Sequence, residues 1–131
     1  MSTLARNGDS LDNGIRREFP RSLRLLRHAD FERVYRQGKR HFAAHMTVFY
    51  LRREAHEDLR VGFTVSRALG GAVDRNRMKR RLREAVRLRR PQNKIAADVV
   101  INPKKSLLKV EFQELLNEVE KAFDVVQQKT K

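Results

Sequence analysis

The sequence predicts a single α/β domain with a strongly cationic helix, on three observations. Stretches of helical spacing are interleaved with stretches that alternate apolar and polar residues two by two. A length of 131 residues with 40% hydrophobic composition supports one modest core and no second module. The formal net charge is +14, and residues 75–90 concentrate it, with nine Lys or Arg against the single Glu84.

The elements follow in order. Residues 1–20 mix Ser, Asn, Gly and Asp with isolated charges and carry no sustained period, so they read as a flexible leader, with order beginning near Phe19 and Pro20. Residues 30–37 predict a helix whose Phe31, Val34 and Tyr35 share one side, closed by Gly38 as a left-handed C-terminal cap. Phe42, Val48, Phe49, Tyr50 and Leu51 predict one strand or two short ones, and residues 54–58 a polar turn. Residues 60–66 alternate cleanly. Val61, Phe63 and Val65 fall on one face, and Arg60, Gly62, Thr64 and Ser66 on the other, low and polar one. A mid-strand glycine between hydroxyl-bearing neighbours marks either a close approach by a backbone or ligand, or an ordinary solvent face.

After the turn at Gly70 and Gly71, Asp74 reads as an N-cap with Val73 and Met78 spaced as a hydrophobic staple. Met78, Leu82, Ala85 and Val86 then form a buried stripe, with Arg75, Lys79, Arg83, Arg87 and Arg90 beside it, and Pro91 ends the helix. Residues 98–101 predict a short buried strand before Asn102 and Pro103. Phe112, Leu115, Leu116, Val119, Phe123 and Val126 predict a closing helix that lids the sheet. Its Glu111, Glu114, Glu118, Glu120 and Asp124 make it the acidic part of the chain, ill suited to RNA.

The cationic run points to nucleic acid. A helix with this many guanidinium groups repels itself unless a polyanion supplies the opposite charge, and the planar arginine fork suits phosphate and exposed bases. The chain lacks cysteine, which removes disulfides, thiolate catalysis and Cys-based zinc sites and suits a reducing cytosol. No apolar run reaches membrane-spanning length and no secretory signal is visible, so the expectation is a soluble, cytoplasmic protein. Carboxylates able to converge on metal ions are not evident, with Asp98 alone in a predicted strand. His41 and His45 would share a strand face and could act as an acid and base on RNA. Their commoner role is that of surface residues, and no orienting carboxylate accompanies them. The residues alone favour a binding module over an enzyme.

Arg60-Val61-Gly62-Phe63-Thr64-Val65-Ser66-Arg67, then Gly70, Ala72-Val73 and Arg75-Asn76-Arg77-Met78-Lys79-Arg80-Arg81-Leu82-Arg83-Glu84, closely resemble the protein subunit of bacterial ribonuclease P. Asp30-Phe31, Tyr35 and Gly38 stand at the matching distance upstream. The resemblance implies an α+β two-layer sandwich of order α-β-β-β-α-β-α. Its basic helix would ride on a left-handed crossover between the third and fourth strands, where most crossovers are right-handed. The domain would span 21–127, with 128–131 a tail.

The same resemblance implies an RNA subunit that is the catalyst, uses magnesium ions and removes the 5′ leader of precursor tRNA. The protein would be non-catalytic alone, monomeric, without a stable metal of its own, and would raise substrate affinity and lower the magnesium demand. Arg75, Asn76, Arg77, Lys79, Arg80 and Arg83 match positions that face the catalytic RNA. Phe31, Tyr35, Phe49, Thr64, Ser66 and Arg67 match positions lining the cleft for the single-stranded leader, while core packing is the other reading of Phe31 and Phe49. Ala68 departs from the family's usual Ser-Lys-Lys ending of this strand and removes its second cation. The alternative function is a general structured-RNA-binding or ribosome-associated protein using the same helix.

Overall fold

The alternating segment that starts at Arg60 forms the edge of a four-stranded sheet in a computed structural model of the protein. The structure describes residues 23–25, 27–55 and 57–130; the expected 1–20 leader, with the start of order near Phe19 and Pro20, lies outside them. The elements are α1 (His28–Gln37), β1 (Lys39–Phe42), β2 (Met46–Arg52), β3 (Arg60–Phe63), α2 (Ala72–Arg89), β4 (Ala97–Pro103) and α3 (Phe112–Lys129). Short 3-10 turns at Arg67–Leu69 and Lys105–Leu108 precede α2 and α3. The strands lie in the order β1-β2-β4-β3. β1–β2 and β2–β4 are antiparallel and β3–β4 parallel, so α2 rides on the crossover between neighbouring parallel strands.

Strand alternation sends Met46, Val48, Tyr50, Val61, Val99 and Ile101 to one face of the sheet. There they meet Met78, Leu82, Ala85 and Val86 of α2, and Leu115, Leu116, Val119, Ala122, Phe123 and Val126 of α3. These are the stripes that helical spacing predicts, and each fully buried aliphatic side chain contributes about 1.5–3 kcal/mol. The opposite face carries α1 over a smaller cluster of Leu25, Val34 and Val100, with Phe31, Phe49 and Leu51 packed against it. The sandwich of sheet with α2 and α3 is thus completed by one helix on the far side.

Three local expectations are corrected. Gly38 is extended, with φ −81° and ψ 173°, and is not a left-handed cap. Glycine is needed there for another reason, since a Cβ would come within 2.5 Å of the Val34 carbonyl oxygen and 2.6 Å of that of Tyr50. α2 begins at Ala72 with Gly71 as its N-cap, so Asp74 lies in the first turn and Val73, 73% exposed, staples nothing. Gly70, at φ 143°, makes the turn early enough for the Gly71 carbonyl to accept the Arg75 N–H. Finally, residues 43–45 separate β1 from β2, so His41 and His45 do not share a strand.

Candidate nucleic-acid interface

The α1 side of the sheet is closed at one end and open at the other. Residues paired across strands project to the same face, which defines two rows. In the first, Arg40 opposes Phe49, Phe49 opposes Val100, and Val100 opposes Gly62. α1 covers much of this row: Phe31 lies over Gly62, with its ring Cζ 2.5 Å from where a Cβ would stand, and Val34 is fully buried. The mid-strand glycine therefore admits an aromatic ring of the protein's own helix, and Phe31 belongs to the small core.

The second row is polar. Phe42 opposes Thr47 and Thr47 opposes Asn102; Thr64 extends the row past the end of β3, its N–H bonded to the Ile101 carbonyl. Tyr35 spans the boundary between the rows. Its hydroxyl lies 2.6 Å from Thr64 Oγ1 and 3.0 Å from Asn102 Oδ1, and its ring meets Phe49 edge-on at 4.9 Å between centroids. The Arg40 guanidinium stacks over the other aromatic, 5.6 Å from the Phe49 centroid. Tyr35, Phe49 and Thr64 thus come together on the partly exposed end of this face, the candidate cleft, with exposed Ser66 and Arg67 on the connection that leaves it toward α2.

On α2 the cations divide by task. Arg81 is structural: its guanidinium donates to the Leu108 carbonyl at 2.9 Å and to the Val110 carbonyl, and lies 6.0 Å from the Phe112 centroid. Phe112, counted in the α3 stripe, is accordingly half-buried. Arg87 pairs with Glu84 and Arg89 with Glu120. The Arg87 hydrogen bonds hold the Glu84 carboxyl below the usual range, and in return raise the Arg87 pKa. Arg75 donates to the Gly70 carbonyl at 3.2 Å and steadies the turn. Asn76, Arg77, Arg80 and Arg83 are exposed and Lys79 half-exposed, and none of the four cations among them has an ion-pair partner among the described residues. At 100° per residue, Lys79, Arg83, Asn76 and Arg80 span roughly 100°, with Arg77 about 60° further round.

Asp98 and His45, two of the remaining chemical candidates, have partners within the fold. Asp98, fully buried, receives Arg60 through two 2.8 Å bonds and Arg33 at 3.0 Å, with Arg53 at 3.5 Å. Arg33 and Arg60 also reach Asp30, at 2.8 and 3.6 Å. The Asp98 hydrogen bonds, chiefly, raise the Arg60 pKa. His45 Nδ1 is 2.8 Å from Ser106 Oγ, and its backbone N–H donates to Glu118 at 2.8 Å. Among the described residues no three acidic, His or Cys side chains gather as metal ligands, and no helix is long and apolar enough to cross a membrane.

The profile of the ribonuclease P family matches residues 19–127. The chain belongs to the ribonuclease P protein family. The ribonuclease P protein component of Symbiobacterium thermophilum is 39% identical over 104 residues, covering 79% of this chain and 90% of that one. That of Staphylococcus epidermidis is 33% identical over 114 residues, covering 85% and 98%. The solved ribonuclease P protein of Staphylococcus aureus superposes with a TM-score of 0.69 at 25% identity over 80% of this chain and 95% of that one, and that of Thermotoga maritima with 0.69 at 25% over 78% and 96%.

As a ribonuclease P protein component, the chain is the protein cofactor of an endoribonuclease holoenzyme that processes tRNA. Arg40, Thr47 and Asn102 of this ribonuclease P protein escape sequence reasoning. Asn102 reads locally as part of an Asn-Pro turn, and only the register with Thr47 and the Tyr35 bond put it in the cleft. Two-residue spacing from Phe49 was the available signal for Thr47.

Proposed function

We propose that the protein binds the single-stranded 5′ leader of precursor tRNA in the cleft beneath Tyr35, and the catalytic RNA through the exposed face of α2. The observation that supports this best is the second row, where Thr47, Asn102 and Thr64 offer hydrogen-bonding groups in the open part of a groove whose wall is aromatic and cationic. Such a surface takes an unpaired strand: the bases stack on Tyr35 and Phe49, each worth about 1–3 kcal/mol, and polar floor groups meet base edges or sugars. A duplex would not reach the floor. Phe31 supports the wall, and Ser66 and Arg67 carry the strand toward α2.

Arg77, Lys79, Arg80 and Arg83, with Asn76, contact phosphates of the RNA subunit, while Arg75 shapes the turn from which they project. The RNA supplies the chemistry with its magnesium ions. The protein, monomeric by itself and cytoplasmic, lowers the magnesium demand by holding substrate and neutralising phosphate.

The test is multiple-turnover cleavage of a precursor tRNA at low magnesium by protein alone, RNA subunit alone and both together, with holoenzyme affinity measured for precursor and mature tRNA. Leader removal only in the combined reaction, with tighter binding of the precursor, is the expected result. Equal affinity for the two tRNAs would overturn the leader cleft. Cleavage by the protein alone would overturn the non-catalytic role.

A further inference from the structure

Phe42 is the most exposed aromatic side chain among the described residues, at 68%, and it stands apart from the cluster of Tyr35, Phe49 and Arg40 in the cleft. An isolated exposed Phe is ordinary on a protein surface. Three features distinguish this one. It lies on the floor face: β1 pairing sets it opposite Thr47, one row on from Arg40 and Phe49, whose contact shows that this face is the cleft side. β1 is an edge strand, so beyond Phe42 the sheet ends and the ring faces solvent. Cations also stand near it along the edge, with Arg40 two residues before it on the same face and the Lys104 ammonium 3.2 Å from the carbonyl oxygen of the next residue, Ala43.

From the hydrogen-bonded group at Tyr35 and Asn102, the row crosses Thr47 on β2 and reaches Phe42 two strand spacings away, about 10 Å. The row therefore changes in chemistry along its length, from polar acceptors in the middle to an aromatic face near two positive charges at the edge. An aromatic ring with cations nearby suits one chemical class of ligand well, an unpaired nucleotide, whose base stacks while its flanking phosphates meet the ammonium and guanidinium groups. A partner protein's apolar side chain would find here a single ring with no neighbouring apolar patch. The other exposed apolar residues, Val73 and Leu88, lie on α2, on the opposite face of the sheet.

We infer that Phe42 is a separate nucleobase-stacking site at the β1 edge, taking a nucleotide of the leader beyond those held at Tyr35 and Phe49, with Arg40 and Lys104 holding its phosphates. The inference rests on the leader-cleft reading and extends it to a longer footprint. Leader-length preference then has a physical source: leaders that stop short of β1 forfeit this stack, and longer ones gain it.

The experiment uses holoenzyme reconstituted with a bacterial ribonuclease P RNA and precursor tRNAs whose leaders are lengthened one nucleotide at a time, next to mature tRNA. Wild-type affinity should rise in two steps, and Phe42→Ala or Phe42→Leu should abolish the second only, weakening binding of long-leader substrate by at least about 5-fold. Short-leader and mature tRNA should bind as to wild type, and Phe42→Trp should restore the step. Phe42→Leu keeps apolar bulk without a π face, and unchanged melting midpoints guard against misfolding. A fluorescent adenine analogue walked along the leader should be quenched by stacking at one position in wild type and not in Phe42→Leu.

Phe49→Ala, measured in parallel, separates two failures. If it removes the first step while Phe42→Leu matches wild type at every length, the edge site is overturned and the cleft stands. If neither variant changes any leader dependence, the cleft reading falls and the edge site falls with it. An equal loss by the Phe42 variants on mature tRNA would likewise overturn the edge site.

Discussion

Neighbouring arginines of one helix do unlike work in this protein. Arg80 is exposed and without an ion-pair partner among the described residues, whereas Arg81 ties α2 to the segment before α3 through two carbonyls and a ring. Arg81→Ala leaves both carbonyls short of a donor and should destabilise the fold by about 1–3 kcal/mol. Arg80→Ala should stay within about 0.5 kcal/mol in denaturant unfolding. Assembly with the RNA subunit should show the reverse order of damage, Arg77→Ala with Arg80→Ala flattening the salt dependence by about one unit for each phosphate that the side chains no longer neutralise. An unchanged salt slope would remove direct phosphate binding from the proposal. Glu84 makes a third case. Its pKa is lowered by the Arg87 hydrogen bonds, so the pair's contribution is present above the ordinary glutamate range and is lost as pH falls through the lowered value. The contribution is small because the pair is exposed to solvent. Glu84→Gln should therefore leave stability nearly unchanged at neutral pH while freeing Arg87, which titration of RNA affinity at low salt would register as tighter binding.

At the scale of elements, the seat of α1 decides the shape of the cleft, and charge fixes that seat. Asp98 of β4 and Asp30 of α1 share Arg33 and Arg60, so α1, β3 and β4 are joined by ion pairs at the closed end while Tyr35 hydrogen-bonds the floor at the open end. Removing the Asp98 charge costs less than the ~3–5 kcal/mol of a fully buried pair, because its arginines are partly exposed and Asp30 still pairs Arg33 and Arg60. Asp98→Asn should cost about 1–3 kcal/mol in thermal unfolding and weaken leader binding more than RNA-subunit binding, since α2 packs on the other face. Equal losses in both would show a merely global effect. None of this was readable from the sequence, where Asp98 is one carboxylate in an apolar strand and its arginines lie 38 and 65 residues away. Periodic features were readable: the α2 and α3 stripes and the alternation from Arg60 follow from local geometry, as does the Pro91 stop, although the strand expected over 60–66 ends at Phe63. Gly38 misled because a glycine after a helix signals a left-handed cap, and its real cause, the approach of the Tyr50 carbonyl from β2, is a tertiary contact. Asn102 and Phe42 stayed hidden for the same reason, since strand register alone puts them in one row with Thr47.

For the whole molecule, the sheet separates two surfaces. α1 and the cleft occupy one face, α2 and α3 the other, and Ser66, Arg67 and the turn to Gly70 lead from the first to the second at the β3 edge. The proposed strand in the cleft and the proposed RNA on α2 would therefore not compete for area. The cost is electrostatic. With a net charge of +14, and with Arg77, Lys79, Arg80 and Arg83 crowded on one helix, the folded state repels itself in the absence of a polyanion. Anions that bind this face stabilise the fold by about 1.4 kcal/mol for each tenfold rise above their dissociation constant, which is several degrees in melting midpoint for a domain of this size. Sulfate also strengthens apolar burial in any protein, so its effect alone decides nothing. The informative quantity is the difference between wild type and a variant with Ala at those four positions, at matched ionic strength in sulfate and in chloride. The variant should melt higher than wild type in low-salt chloride, because repulsion is relieved, and should gain less from sulfate, because the anion site is gone. Parallel responses of the two proteins in both salts would mean that α2 does not gather anions, and would remove the physical basis for placing the RNA subunit there.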